Sequence, residues 1–442
     1  MSFPRYPKYK DSGVGWLGQV PEHWQVRPLK TLCEMITDGA HVSPETEGGV
    51  FPFVSTKDIH GEVIDFENCL RTSEPTFAAM VKTGCRPCLG DVLYSKDGTI
   101  GRTAVVTDAR DFAVASSLII IRPRKGSLES RFVNRLCQSS AFTSQIESAV
   151  RGAGLPRISI QNLLKVVGPF PEVSEQRLIA EFLDRETAKI DLLLGEQQRL
   201  IELLKEKRQA VISQAVTKGL NPHAPMKPSG ITWLGDVPAH WEGVRLRTLF
   251  RAEKRQNQSG LQVLSVYREF GVIPKNSRDD NMNKTPDDLT LYQLVNQGDL
   301  VVNKMKAWQG SLGISDLEGV TSPDYITFTP RLKPSPALRG FLHQLLRSQS
   351  MVSVYRSISN GIRPAQWRLE PGHFLGLPIF VPPAREQQDL VAFASAHIER
   401  SNALSAAAER AMALLQERRA ALISAAITGQ IDVRSFAGKR AA

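Results

Sequence analysis

The chain has 442 residues, 42% hydrophobic and 23% charged, which exceeds what one hydrophobic core organises and excludes a disordered chain. Its 55 Lys and Arg against 45 Asp and Glu give a net charge of +10, a balance that favours a polyanionic partner. No run approaches the about 18 apolar residues of a membrane span, Met1 to Pro7 lacks the apolar stretch of a secretory signal, and five cysteines, all in the first half, build no disulfide framework. A cytoplasmic location with reduced thiols and no membrane partner is expected.

The first distinctive segment in chain order is Trp16-Leu17-Gly18-Gln19-Val20-Pro21-Glu22-His23-Trp24. It returns as Trp233-Leu234-Gly235-Asp236-Val237-Pro238-Ala239-His240-Trp241, shifted by 217 positions with seven of nine residues matching. Gly13-Val14-Gly15-Trp16-Leu17-Gly18 also fits a dinucleotide fingerprint in its letters. No strand precedes it, however, and the second copy, Gly230-Ile231-Thr232-Trp233-Leu234-Gly235, lacks the middle glycine that lets a phosphate approach, so no cofactor is expected there. His23 and His240 recur with no carboxylate or nucleophile at a matching distance, and they are expected to pack rather than to act as bases or ligands.

Strand-like runs follow at Phe51 to Ser55, Asp91 to Ser95 and Ser117 to Ile121, with counterparts at Gln262 to Val266, Asp299 to Asn303 and Tyr325 to Thr329. Each set leads into one substantial helix, about residues 129–149 and 337–357. Cys85-Arg86-Pro87-Cys88 has zinc-ligand spacing, but no second Cys or His pair stands at finger distance, which makes it a turn with unused thiols.

Pro169-Phe170-Pro171 and Val381-Pro382-Pro383 then mark the starts of two long helices, residues 175–218 and about 386–429, because proline is tolerated at a helix start and not inside. The first, at ~1.5 Å per residue, is a rod of roughly 66 Å. Its Leu183, Ile190, Leu194, Ile201, Leu204, Val211 and Ala215 fall mostly at alternating three- and four-residue intervals, as a two-helix seam requires, and the second rod is alanine-rich. The rods are therefore expected to pack antiparallel on each other. The end of the first, Glu206-Lys207-Arg208-Gln209-Ala210-Val211-Ile212-Ser213-Gln214-Ala215-Val216-Thr217, returns 211 positions later as Glu417-Arg418-Arg419-Ala420-Ala421-Leu422-Ile423-Ser424-Ala425-Ala426-Ile427-Thr428. Two tandem units of roughly 215 residues span almost the whole chain, a period too long for a solenoid.

The arrangement resembles the specificity subunit of type I DNA restriction-modification systems. The resemblance rests on the paired Trp-Leu-Gly-x-Val-Pro-x-His-Trp openings, Gly90-Asp91-Val92-Leu93-Tyr94-Ser95-Lys96-Asp97-Gly98, Gly152-Ala153-Gly154-Leu155-Pro156-Arg157-Ile158-Ser159, Glu175-Gln176, and the segment Gln209 to Leu220 that closes the first rod. The second module departs from the pattern with Lys304-Met305-Lys306-Ala307-Trp308-Gln309-Gly310 and Gly361-Ile362-Arg363-Pro364-Ala365-Gln366-Trp367.

The resemblance implies an α+β fold: two mixed α/β target-recognition domains in tandem, each followed by a long helix, the helices packing as an antiparallel coiled coil with pseudo-two-fold symmetry. The expected divisions are a first target-recognition domain at 1–172, a first spacer helix at 173–219, a second recognition domain at 220–383, a second spacer helix at 384–430 and a tail at 431–442. It further implies double-stranded DNA, two modification subunits and translocating restriction subunits as partners. AdoMet would sit on the modification subunit and ATP and Mg on the restriction subunit, with no cofactor on this chain.

The chain is accordingly expected to be non-catalytic. It contains no Walker A loop, no H-E-x-x-H and no Asn-Pro-Pro-aromatic or Asp-Pro-Pro-aromatic tetrapeptide of amino-methyltransferases. Base-edge contacts confer specificity and phosphate contacts fix register, so polar and cationic residues on Gly-rich loops are the candidates for DNA contact. In the first module these are Lys96, Thr99 and Arg102 beside Gly98 and Gly101, with Arg151 and Arg157 beside Gly152 and Gly154. In the second they are Lys304, Lys306, Trp308 and Gln309, then Asn360, Arg363, Gln366 and Arg368. Because the loops differ while the frames agree, an asymmetric target is expected. Two alternatives stand beside this one: a standalone DNA enzyme, which needs its own AdoMet or metal site, and a coiled-coil interaction protein, whose binding would depend little on salt.

Overall fold

The computed structural model describes residues 3–149, 157–256, 258, 260–278, 284–361 and 367–436. The chain forms two compact units, residues 1–197 with 410–442, and residues 198–409. Among the described residues no helix is long and apolar enough to cross a membrane.

The first unit is organised by a four-stranded antiparallel sheet in the order Thr103–Val105, Val92–Ser95, Leu118–Pro123, Cys33–Asp38. Both of its faces are covered, so its inner strands are apolar throughout rather than alternating. Val92, Tyr94, Ile119 and Ile121 enter one core, whereas Leu93, Leu118 and Ile120 enter another, because successive strand side chains point to opposite faces. A smaller sheet pairs Phe51–Val54 in parallel with Ala113–Val114 and antiparallel with Leu70–Thr72.

The second unit repeats the main sheet with the same strand order and sense: Leu312–Ile314, Leu300–Asn303, Tyr325–Pro330, Phe250–Ala252. Leu300, Val302 and Phe328 face one core and Val301 the other. Two of the three paired runs proposed from sequence, those at 91–95 and 299–303 and at 117–121 and 325–329, are therefore equivalent strands, whereas Phe51–Val54 lies in a three-stranded sheet and Leu264–Tyr267 in a two-stranded one.

The single helix expected after each sheet is two helices. Ser130–Gln138 and Ser140–Ala149 are separated by Ser139, and Pro336–Leu346 and Gln349–Ser357 by Arg347 and Ser348. Both serines are extended, with ψ of 152° and 153°; the Ser139 hydroxyl donates to Leu136 O and the Ser348 hydroxyl accepts from Met351 N. A serine that can cap a new helix start offers the backbone an alternative to continuing the old one.

The long helices are Val173–Lys218 and Ala384–Ile427. Gln176 and Gln387, four residues into each, donate to Pro171 O at 2.9 Å and Pro382 O at 2.8 Å, tying each helix start to its proline connector. In the first unit Ile179, Phe182 and Leu183 share a core with Ile423, Ala426 and Ile427, and Arg419 Nε donates to Asp191 at 3.0 Å. In the second, Ile212, Ala215 and Val216 meet Leu390 and Ala394, and Arg208 donates to Asn402 at 2.9 Å. Within each unit the start of one long helix thus lies against the end of the other, running antiparallel to it.

His343 is enclosed in the second unit, where Gly271 and Gly313 make room for its ring; a Cβ on Gly271, whose φ is +77°, would stand 2.7 Å from it. Burial, and then the cation of Arg347, draw the imidazole down from 6.5 to about 4, with Ile314 O opposing. The unfolded chain therefore binds this proton more readily than the folded one. As pH falls from 6.5 towards 4 the second unit should lose up to roughly 3 kcal/mol, with no further loss from this group below that range. Urea midpoints measured across the window, compared with His343→Gln, check this: an equal slope in both proteins would assign the acid sensitivity elsewhere.

Candidate nucleic-acid interface

Each unit closes around its repeated Trp-Leu-Gly opening. Trp24 and Trp241 are fully buried. His23 Nε2 lies 2.8 Å from Glu175 Oε2, and His240 Nε2 lies 2.6 Å from Glu386 Oε2. Glu175 also accepts from Tyr6 Oη at 2.8 Å, and Glu386 accepts from Trp241 Nε1 at 3.1 Å. A carboxylate therefore does recur opposite the repeated histidine, which corrects the expectation from sequence. The separations, 152 and 146 residues, differ because the intervening module changes length, so no fixed spacing exposed the pair.

The far end of the other long helix completes each closure. Gly429 and Gly219 follow the two helices at φ +73° and +78°, and a Cβ on Gly429 would stand 2.4 Å from Pro21. Only glycine takes this left-handed backbone and this close approach without strain. The Gly13 to Gly18 stretch is a turn, with Asp11 Oδ1 accepting from Gly13 N at 2.9 Å. Cys85 is buried and Cys88 exposed. Among the described residues no three His, Cys, Asp or Glu side chains converge as a metal site would need.

The candidate loops occupy one end of each main sheet. In the first unit the turn after Val92–Ser95 is fixed by Ser95 Oγ, which donates to Thr99 O at 2.6 Å and accepts from Arg102 N at 2.8 Å. In the second, Asn303 Oδ1 plays that part, accepting from Met305 N at 3.0 Å and Lys306 N at 3.1 Å. The later segment then joins each turn: Ile158 N donates to Lys96 O at 3.0 Å, and Leu369 N to Lys304 O at 3.2 Å. Segments far apart in sequence meet at equivalent places.

The individual candidates differ in what they leave free. Lys96 is 5% exposed, and its ammonium sits 2.8 Å from Asp38 Oδ2. Arg102 donates to Thr56 O and Ile59 O, while Thr99 is exposed. Arg157 is exposed and forks onto Asp97 at 2.6 and 3.1 Å, which raises its already high pKa. Lys304 donates to Pro323 O at 2.7 Å; Lys306 is exposed. Trp308 donates to Met305 O and meets Trp367 edge to face at 5.4 Å, with the Arg356 guanidinium 6.0 Å from its ring. Gln309 is half-buried, and Asn360 and Arg368 are exposed partners in one ladder. Arg151, Arg363 and Gln366 lie outside the described residues.

Sequence reasoning missed Asp38, His41 and Asp97 in the first module. Asp38 Oδ2 faces Lys96 and, at 3.3 Å, His41 Nε2, and Gly39 lets this corner touch the backbone of Ala115. In the second module it missed Lys275, Lys284 and Tyr292, which line a cleft of about 760 Å³ together with Lys306 and Gln309. Both places pair hydrogen-bonding groups with cations, the chemistry that base edges and phosphates accept.

The family model of the type I restriction modification DNA specificity domain matches residues 21–203. The putative MjaX specificity subunit of Methanocaldococcus jannaschii is 26% identical over 238 residues, covering 52% of this chain and 53% of that protein. The StySPI specificity subunit of Salmonella potsdam is 20% identical over 392 residues, covering 85% and 82%. A solved chain from work on complex assembly and conformational transition of the type I R-M system has the same fold, with a TM-score of 0.62, 15% identity and coverage of 92% and 98%. The fold is thus that of this solved chain, and residues 21–203 are similar to the type I restriction modification DNA specificity domain. The chain is similar to type I specificity subunits, and it spans about half the length of the first of these relatives.

The Lys96 and Asp38 pair holds the first tip in place. Asp38→Ala leaves a buried ammonium without its partner and should cost about 3 kcal/mol, whereas Asp38→Ala with Lys96→Met should recover much of the loss. A urea midpoint no better in the double variant than in the single one would show that the pair is not the source of the cost.

Proposed function

We propose that this chain is the non-catalytic, DNA-reading subunit of a type I restriction-modification complex. It reads a bipartite, asymmetric site in double-stranded DNA, one half with each module, and directs adenine-N6 methylation by two modification subunits that carry AdoMet. Restriction subunits using ATP and Mg join the full complex. The two long helices act as an antiparallel coiled-coil spacer with pseudo-two-fold symmetry, fixing half-site separation and docking the modification subunits.

One observation carries this reading: the same frame occurs twice with different tips. The strand order, the His to Glu contact, the glycine closure and the broken helix repeat between units. The tips do not, having Ser-Lys-Asp-Gly in one and Asn-Lys-Met-Lys in the other. Identical frames present two reading edges in equivalent ways, whereas unlike edges read unlike half-sites. The antiparallel contacts of the long helices within each unit support the spacer role.

Mapping N6-methyladenine in a host that expresses the chain with its modification subunit, and in a matched host lacking the chain, tests the proposal. Methylation of one split, asymmetric sequence only when the chain is present is the expected outcome. Identical maps from an assembled complex would overturn it.

A further inference from the structure

The two units differ around the repeated arginine of the long-helix ends, Arg419 in the first and Arg208 in the second. In the first unit the turn at Glu62, the one non-glycine residue of positive φ (+73°) among the described residues, pushes its carboxylate between two cations. Glu62 Oε1 accepts from Arg135 at 2.6 Å, four residues before the breaking Ser139, and from Arg419 on the long helix at 2.8 Å. A carboxylate of the chain therefore pairs both cations where hairpin, broken helix and long helix meet.

In the second unit a cavity lies beside the repeated arginine. Arg208 is the repeat counterpart of Arg419, and the hairpin turn there carries Arg268 and Glu269. Around a cavity of about 530 Å³ stand Lys205, Arg208, Arg268 and Arg347, against Glu206 and Glu269. Among the described residues none of these four cations has a carboxylate within ion-pair distance: Arg208 donates to Asn402, and Arg347 to His343 and Arg268 O, with its Nε buried and unpartnered. Burial, and Arg208 beside it, lower the Arg347 guanidinium to about 10, as expected of a cation that lacks a counter-charge.

The cavity adjoins the cleft beside the second candidate loop, Arg268 and Gln309 lining both. That cleft adds Lys275, Lys284 and Lys306 against Asp324. We infer that this corner of the second unit is a phosphate-binding pocket that grips the DNA backbone next to the second half-site, on the side of the long helix. The inference rests on the DNA-reading function proposed above. The pocket replaces the carboxylate that the first unit supplies from its own chain with a phosphate supplied by the ligand. The backbone is favoured over an acidic protein segment because the cations of the cavity, Lys205, Arg208, Arg268 and Arg347, stand beside the Lys275, Lys284 and Lys306 of the cleft at the candidate loop.

The test uses the chain assembled with its modification subunit and duplexes carrying the methylated site. Lys205→Gln with Arg268→Gln changes two exposed side chains and leaves the half-buried Arg347 in place. The slope of log affinity against log salt should become shallower by about two, close to one per lost phosphate contact, with matched and mismatched sites weakened alike and the methylated sequence unchanged. An unchanged slope with full specificity would overturn the pocket and leave the DNA-reading function standing. An unchanged slope with weakened assembly would overturn it in favour of an acidic partner surface. Failure of the unaltered complex to prefer its site would instead sink the function on which the pocket rests.

Discussion

Everything in the fold depends on how each unit is closed: a buried tryptophan held between the start of one long helix and the end of the other. Trp24 packs beneath Tyr6 and His23, with Glu175 from the beginning of the first long helix and Gly429 from just past the second. Trp241 stands likewise between Glu386 and Gly219. An indole of this size in a dry site contributes several kcal/mol, and because its walls come from distant parts of the chain it fixes long-range geometry as well as stability. The first unit also uses the chain's far end for closure: Asp432 N donates to Pro4 O, Tyr9 Oη to Gly429 O, and Phe3 packs edge to face on Phe436.

That constraint explains which parts of the sequence repeat. The Trp-Leu-Gly opening and the Ile-Ser-x-Ala-x-Thr helix end are matched in both copies, and they are the two surfaces that touch. Ser213 and Ser424 accept from Thr217 Oγ1 and Thr428 Oγ1 through their carbonyls, at 2.7 and 2.8 Å, finishing the last turn in the same way before each glycine. The candidate loops are not part of either repeated segment, and their side chains differ once the turn is fixed. Ser95 and Asn303 perform that task with different chemistry, because a hydroxyl and an amide oxygen both accept backbone N–H groups at a tight turn.

The same logic separates what was legible in the sequence from what was not. Proline connectors marked the long-helix starts, and paired apolar runs marked the strands, because these signals are local. Leu183, Ile190, Leu194, Ile201, Leu204, Val211 and Ala215 of the first long helix are each buried or half-buried. Breaks at Ser139 and Ser348 escaped notice because serine inside a helical pattern reads as neutral until its hydroxyl finds a backbone partner. The partners of the candidate residues escaped for a different reason. Asp38 lies 58 residues before Lys96, and Asp97 60 residues before Arg157, and no periodicity links them. A loop lysine in sequence is thus equally a phosphate contact or half of a buried pair, and the fold decides which.

The asymmetry between the units follows from this division of labour. A frame repeated for closure must keep its cations where the long helices meet the modules, so both units carry an arginine at the position of Arg208 and Arg419. What neutralises that arginine is not fixed by closure. In the first unit a strained turn supplies Glu62, at the cost of order 1 kcal/mol or more that a non-glycine residue incurs at positive φ. In the second, among the described residues, no carboxylate stands within ion-pair distance of Arg208, which lines a cavity. One module is thereby internally neutralised at its helix junction and the other is not. Two frames of the same design therefore present different electrostatic surfaces beside their loop tips as well as different tips.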